Sequence, residues 1–140
     1  MARLLGLDYG TKRVGIAETD DLQIIASPLI TVHSKDIINY ILDYSQKYDL
    51  EAVVVGLPKN LDSSDTDATK LIEQFVIHLR KKITPIQVVL EDERFTSKMA
   101  QQSMIMGGVK KSKRQEKENL DKVSASIILQ SYLDRKAKGF

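Results

Sequence analysis

The apolar run Ala52–Leu57, reading AVVVGL, places the strongest constraint on the fold of this 140-residue chain. The run follows a helical pattern and is closed by Pro58. Successive side chains of a strand point to opposite faces, so a strand that is apolar at successive positions must be covered on both sides. We therefore expect a sheet with parallel members and with helices on both faces.

The rest of the chain supplies the other elements of such a sheet. Two apolar runs, Arg3–Leu7 and Val14–Thr19, flank a glycine-containing turn and predict a β-hairpin. The next predicted elements are a third strand at Gln23–Ser27, ended by Pro28, and a helix from its N-cap Ser34 to about Tyr48. A second helix is capped by one of Asp62, Ser63 or Ser64 and has Leu71, Phe75 and Leu79 on one face. A strand at Ile86–Leu90, a helix from Thr96 to Gly107-Gly108 and a last helix from about Glu118 to Ala137 complete the prediction. Three antiparallel strands followed by alternating helix and strand predict one α/β domain, residues 1–140, with a mixed five-stranded sheet.

The composition excludes several kinds of site. The chain has no cysteine, which rules out disulfides and thiolate metal sites and suits a reducing cytoplasm. Its apolar runs are too short to cross a bilayer, and no apolar signal segment follows the first methionine, so we expect a cytoplasmic protein without a membrane partner. His33 and His78 stand apart. A metal here would be held by oxygen, which favours Mg²⁺ or Mn²⁺.

Asp8 is the first candidate site residue, because aspartate is depleted in strands and this one ends a predicted central strand. Glycines space the surrounding stretch, and Lys12 and Arg13 follow in the predicted turn. A carboxylate, bare backbone and two cations indicate a metal-bridged phosphate. A turn aspartate beside two solvated bases is equally compatible with these residues.

Acidic residues recur at two later positions. Glu91 and Glu93 follow the fifth strand on a shared face, at the strand end where open α/β sheets bind ligands. Asp121 lies in the last helix, on a face whose small residues Ser124 and Ala125 would let the helix lie close to the sheet. The alternatives are an acidic loop before a helix and a first-turn aspartate favoured by the helix dipole.

Basic residues are interleaved with these acids. Arg94 follows Glu93, and five bases with Glu116 give the stretch 110–117 a local charge of +4. The five bases are Lys110, Lys111, Lys113, Arg114 and Lys117. A flexible basic loop over an acidic cleft suits a long phosphate backbone, whose binding is largely electrostatic, and a solvated loop is the alternative.

Four segments together resemble the YqgF/RuvX family. They are GLDYGTKRVGIA, VVVGLP, EDERFTS and NLDKVSASIILQSYL, in the order and roughly the spacing of that family. Its members are small Holliday-junction-resolvase-like proteins with the ribonuclease H fold, also described as candidate pre-16S rRNA nucleases. The resemblance extends from the first strand to the last helix and so covers nearly the whole chain.

The resemblance implies a nuclease with three carboxylates around divalent metal. By position, Asp8 matches the acid of the family's first strand, Glu93 the acid of its Asp-Glu-Arg motif, and Asp121 the acid of its closing helix. Two Mg²⁺ or Mn²⁺ ions roughly 4 Å apart would activate a water and stabilise the leaving oxygen, with Asp8 bridging them. The family's basic positions are matched by Lys12, Arg13 and Arg94.

The implied substrate is structured nucleic acid, either the end of precursor 16S rRNA or branched DNA such as a Holliday junction. A second hypothesis is a non-catalytic nucleic-acid-binding or ribosome-assembly module of the same fold. A third comes from Asp-x-Gly-Thr, which also resembles the first phosphate motif of sugar-kinase and actin-like ATPases, although those need two such domains. The sequence leaves open the choice of RNA or DNA, and of monomer or homodimer.

Overall fold

The computed structural model describes residues 2–57, 67–92 and 113–137, without the side chains of residues 67–68 and 113–119. Five strands form one sheet in the order β3-β2-β1-β4-β5. The strands are β1 (Arg3–Tyr9), β2 (Arg13–Thr19), β3 (Ala26–His33), β4 (Leu50–Leu57) and β5 (Gln87–Asp92). Strand β2 pairs antiparallel with both β1 and β3, whereas β4 lies parallel to both β1 and β5. The predicted mixed five-stranded sheet is therefore confirmed.

Helices cover both faces of this sheet, as the apolar run of β4 requires. They are α1 (Ile37–Lys47), α2 (Asp67–Ile83) and α3 (Lys113–Ala137). Val53 and Val55 of β4 pack in a core with α1 and α2, whereas Ala52 and Val54 pack in a second core with α3. The strict alternation along one strand therefore separates the two cores.

The central strand β1 divides its side chains in the same way. Leu5 and Leu7 are fully buried on the face of α1 and α2, and Leu4 is fully buried on the face of α3. A methyl group on Gly6 would meet the Ala125 carbonyl of α3 at 2.8 Å. Even-numbered residues of β1 thus face α3, and this places the next one, Asp8, on that face.

The third strand and the first helix differ from their predicted bounds. β3 begins at Ala26 and continues through Pro28, so the prediction that proline ends it is wrong. An edge strand tolerates proline because one side of its backbone needs no partner. Ser34 does not cap α1, because residues Ser34–Asp36 form a short 3₁₀ turn in which a His33 ring nitrogen accepts from the Lys35 backbone N–H at 3.2 Å.

Later elements also begin or end elsewhere than predicted. α2 buries Ile72 instead of the predicted Leu71, which is exposed, although Phe75 and Leu79 are buried as expected. β5 extends to Asp92. α3 begins at Lys113, so residues 113–117 are helical and the prediction that they belong to a loop is wrong. The predicted cap near residue 62 and the predicted helix 96–107 lie outside the described residues.

No helix among the described residues is both long enough and apolar enough to span a membrane.

Candidate functional site

Asp8 lies near the end of the central strand, half-buried beneath the first turns of α3. Loss of water around the carboxylate, and then the negative charge of Asp121, raises the pKa of Asp8 from 3.8 to about 7. No hydrogen bond to this carboxylate comes from the part of the chain that the structure describes. The fold therefore holds a carboxylate where ionisation is unfavourable unless a cation lies beside it.

Asp121 reaches this position because α3 lies against bare backbone. Gly15 of β2 pairs directly with Asp8, and a methyl group on Gly15 would lie 2.0 Å from the Asp121 carbonyl oxygen. Nothing larger than glycine fits between the strand and the helix. Ser124 and Ala125, one turn further along α3, are buried against the sheet, as the predicted close helix face requires.

Arg13 places a cation beside this pair of acids. Its Nε donates to the Asp121 carboxylate at 2.8 Å, and both side chains are partly exposed. The sequence predicts Arg13 in the turn, whereas Arg13 is the first residue of β2. The positive charge of the guanidinium therefore offsets part of the negative charge of the two carboxylates, most directly that of Asp121.

The turn between β1 and β2 is held by the residues around it. The Gly10 backbone N–H donates to the Arg13 carbonyl at 2.8 Å, and the Ser34 hydroxyl donates to the Thr11 carbonyl at 2.7 Å. On the other face of the sheet, the Tyr9 ring stacks on Phe75 of α2 with 4.1 Å between centroids. These contacts fix the strand end that carries Asp8 and leave Lys12 exposed at the tip of the turn.

Glu91 is a buried carboxylate that belongs to a separate ion pair. Its side chain is 3% exposed, its Oε2 accepts from the Ser131 hydroxyl at 2.8 Å, and its Oε1 accepts from the Arg135 guanidinium. In the sheet register, Leu7 is level with Val55 and Val55 with Leu90, so Glu91 lies two strands from Asp8, about 10 Å away. Both carboxylate oxygens of Glu91 thus already have a donor.

The remaining predicted site residues are not placed by the structure. Glu93 lies outside the described residues, as do Arg94, Lys110 and Lys111. The backbone of Lys113 and Arg114 lies in α3, without described side chains. Of the three predicted catalytic acids, the structure therefore describes Asp8 and Asp121 and brings them together.

The donor chemistry of this pair fits a divalent cation. Asp8 and Asp121 present carboxylate oxygens, which Mg²⁺ and Mn²⁺ prefer, and the Asp8 carboxylate has no donor from a described residue. In the described ranges, no three histidine, cysteine, aspartate or glutamate side chains cluster closely enough to hold a metal ion. The resemblance implies a third acid, Glu93, which lies outside the described residues.

Two features of this region were not expected from the sequence. Gly6 and Gly15, interpreted as space for a ligand, make space for α3. Arg13, which matches a basic position of the family, also pairs with Asp121. The alternation along β2 could have indicated the first feature, because Gly15 lies between the apolar Val14 and Ile16 and so on the opposite face.

Comparisons with known proteins find a matching family and a relative that is similar over nearly its whole length. The profile of a family described as "RuvX: Holliday junction resolvase" matches residues 2–135. A protein of Phocaeicola vulgatus, named as a candidate pre-16S rRNA nuclease, is 48% identical over 136 residues, which cover 97% of this chain and 98% of the relative.

Two solved structures share the fold at low sequence identity. The fowlpox virus resolvase in complex with Holliday junction DNA has a TM-score of 0.58 at 11% identity, covering 96% of this chain and 98% of the viral chain. Thermus thermophilus RuvC in complex with a Holliday junction substrate has a TM-score of 0.54 at 14% identity, covering 97% and 96%. The expected ribonuclease H-like fold is thereby confirmed.

Proposed function

The chain belongs to the RuvX family of Holliday junction resolvases, and on that premise we propose that it is a nuclease that hydrolyses phosphodiester bonds with divalent cations held by Asp8, Glu93 and Asp121. The observation that carries this proposal is the pair of carboxylates at the end of the central strand. Burial and the nearby charge of Asp121 raise the pKa of Asp8 to about 7, and α3 brings Asp121 to this strand end through its close contact with Gly15. Such a pair is unfavourable without a cation and suits one.

The residues of the chain have distinct tasks in this reaction. A bound Mg²⁺ or Mn²⁺ supplies activation of the attacking water and stabilisation of the leaving oxygen. Asp8 and Asp121 hold carboxylate oxygens in place from two rigid elements, which keeps their geometry fixed. Arg13 orients Asp121 through the 2.8 Å contact from its Nε. Lys12, exposed at the turn beside Asp8, is available to a phosphate of the substrate.

The substrate that we propose is the end of precursor 16S rRNA. The support for this choice is that the Phocaeicola vulgatus relative, named for this substrate, is 48% identical over nearly the whole of both chains. Branched DNA is the second candidate, supported by the Holliday junction complexes of two proteins that share the fold at 11–14% identity. Precursor rRNA is a cytoplasmic substrate in bacteria, so we propose that location for the protein.

The test is a cleavage panel with a precursor 16S rRNA end, a single-stranded RNA and a Holliday junction, each in Mg²⁺, in Mn²⁺ and in EDTA. We expect cleavage only with a divalent cation, and most rapidly of the precursor end. Asp8→Asn should lower the rate by more than about a hundredfold, because it removes a ligand charge while keeping the side-chain shape. Asp43→Asn, which alters an exposed acid of α1, is the matched control and should cleave like the wild type.

Two results would contradict the proposal. Undiminished cleavage by folded Asp8→Asn protein, free of contaminating nuclease, would exclude the carboxylate mechanism. Binding of these substrates without cleavage under any metal condition would favour the non-catalytic module instead.

A further inference from the structure

The turn between β2 and β3 exposes three large aliphatic side chains. Leu22 is 58% exposed, Ile24 64% and Ile25 60%, and none of them belongs to either core. Single exposed aliphatic residues are common on protein surfaces. Three within four consecutive positions form a local apolar knob, defined here as residues 22–25, whose exposure to water is unfavourable unless something covers it.

The knob is held rigidly. The Asp20 carboxylate accepts from the backbone N–H groups of Ile24 at 2.8 Å and of Ile25 at 3.1 Å. Gln23 has a φ of +56°, a conformation that is unfavourable for a residue with a Cβ and persists only when neighbours hold it. The Gln23 side-chain amide donates to the Ala2 carbonyl at 2.8 Å.

A second set of contacts ties the knob to β4 and α3. The Gln23 amide also donates to the Glu51 carboxylate at 3.3 Å, and the Lys136 ammonium donates to both of these side chains at about 3 Å. The three aliphatic side chains are therefore presented on a fixed backbone. Binding through a fixed surface loses little conformational entropy, which favours association.

The knob lies at the end of the sheet opposite to the candidate site. Asp8 is at the carboxyl end of β1, and β2 runs antiparallel to β1, so the turn that follows β2 returns to the amino end of β1. The contact of Gln23 with Ala2 agrees with this placement. A partner bound at the knob would leave the Asp8 and Asp121 pair open to nucleic acid.

The polar groups around the knob have an excess of negative charge. Among the described residues, the hydrogen-bond network of the turn and its neighbours contains four carboxylates and two cations, which leaves two net negative charges. The carboxylates are those of Glu18, Asp20, Asp21 and Glu51, and the cations are Arg3 and Lys136. Such a rim repels nucleic-acid phosphates and attracts a basic surface.

We propose that the knob of residues 22–25 docks a partner protein that presents an apolar surface bordered by basic side chains. A second copy of this chain fits less well, because a two-fold contact would bring the acidic rim against itself. Strand addition at the neighbouring edge strand is hindered by Pro28, which has no N–H to donate.

The test uses a defined probe, a labelled helical peptide with leucines on one face and lysines on the other, measured by fluorescence anisotropy. We expect saturable binding to the wild type. The triple substitution Leu22→Ser, Ile24→Ser and Ile25→Ser should weaken binding at least tenfold while leaving the melting temperature close to that of the wild type, because these side chains are outside the cores. A second peptide with glutamates in place of the lysines should bind at least tenfold more weakly than the first.

The matched control is the double substitution Leu71→Ser and Ile77→Ser, which removes two aliphatic side chains of similar exposure from α2. It should change the affinity by less than twofold. Equal affinity of the triple variant and the wild type, equal binding of both peptides, or no saturable binding would overturn the proposal. A wild type that sediments as a dimer and a triple variant that sediments as a monomer would overturn it too, by showing that the knob binds a second copy.

Discussion

At the scale of single residues, Asp8 is the described carboxyl group that folding makes most costly to ionise. Its pKa is raised to about 7 by burial and by Asp121, whereas the pKa of the exposed Asp20 is lowered by backbone N–H donors. A proton, a neighbouring guanidinium or a bound cation can each relieve this cost. The occupancy of the site should therefore be measurable as protein stability, independently of cleavage.

The first prediction concerns stability against pH in EDTA. The unfolded chain loses the Asp8 proton near pH 3.8, and the folded protein keeps it up to about pH 7. Between these values the folded state binds more protons, so the contribution of Asp8 to the free energy of unfolding falls as pH rises, by up to about 1.4 kcal/mol per pH unit. Urea unfolding from pH 5 to pH 8 should show this fall in the wild type.

The same fall should be missing from Asp8→Asn, whose amide does not titrate, so that this variant is the more stable protein at pH 8 without metal. Mg²⁺ at pH 8 should stabilise the wild type more than the variant, because the variant lacks one of the carboxylates proposed to hold the cation. Parallel stability profiles of the two proteins in EDTA would show that Asp8 is not the group described here.

The second prediction distinguishes the role of Glu91, which lies in β5, from that of Glu93, the next glutamate along the chain. Glu91→Gln should lower the free energy of unfolding by about 1–3 kcal/mol, because it weakens the charge-assisted hydrogen bond that the buried Glu91 carboxylate accepts from Arg135, yet the folded variant should still cleave. Glu93→Gln should keep the stability of the wild type and lose cleavage at saturating Mg²⁺. Loss of cleavage only in Glu91→Gln, at a temperature where it is folded, would show that our choice of Glu93 is wrong.

At the scale of elements, the position of α3 decides whether the two acids meet. α3 crosses the sheet on two glycines, Gly6 near its middle and Gly15 beside Asp121. Elsewhere along α3 the contact is made by apolar packing of Ile128, Tyr132 and Leu133. A small substitution at one of these glycines should therefore displace an acidic side chain without unfolding the core.

The third prediction is that Gly15→Ala lowers both stability and cleavage. Its methyl group would lie 2.0 Å from the Asp121 carbonyl oxygen, so α3 must shift, at a cost of about 1–3 kcal/mol. The matched control is Gly6→Ala, which meets α3 at 2.7–2.8 Å near Ala125 and Leu129, away from Asp121. The control should lose comparable stability and keep more of the cleavage. Equal loss of cleavage in both variants would mean that general destabilisation, and not the position of Asp121, is responsible.

At the scale of the whole molecule, two surfaces of different charge and polarity lie at opposite ends of the sheet. The Asp8 end carries Arg13 and the exposed Lys12, and the other end carries the apolar knob with its acidic rim. The net charge of +2 conceals this separation, so bulk charge alone says little about where a polyanion would bind.

The fourth prediction concerns the basic stretch 110–117, whose last five residues begin α3. Replacing Lys110, Lys111, Lys113 and Arg114 with alanine should weaken binding of RNA and DNA substrates to a similar extent. If all four bases contact duplex phosphates, the slope of log affinity against log salt should flatten by about 3–4 units, and by less on single strands. Loss of affinity for one substrate alone would instead indicate specific recognition, and an unchanged slope would leave the stretch as a solvated surface.

The sequence by itself determined the class of fold and the spacing of the candidate acids. Continuous apolar runs in β1 and β4 and helical spacing in α1 and α3 are properties of residues a few positions apart, so they are visible without knowledge of the packing. The same local patterns predicted β1 as the central strand and Asp8 at its end, and the structure has both.

Only the tertiary structure decided which partners these residues have. Arg13 and Asp121 are 108 positions apart, and their pairing depends on how closely α3 approaches Gly15. The engagement of Glu91 by Arg135, and the edge position that lets β3 continue through Pro28, likewise depend on which element lies next to which. Local propensity does not contain this information, because the energy of each contact arises from groups that folding alone brings together.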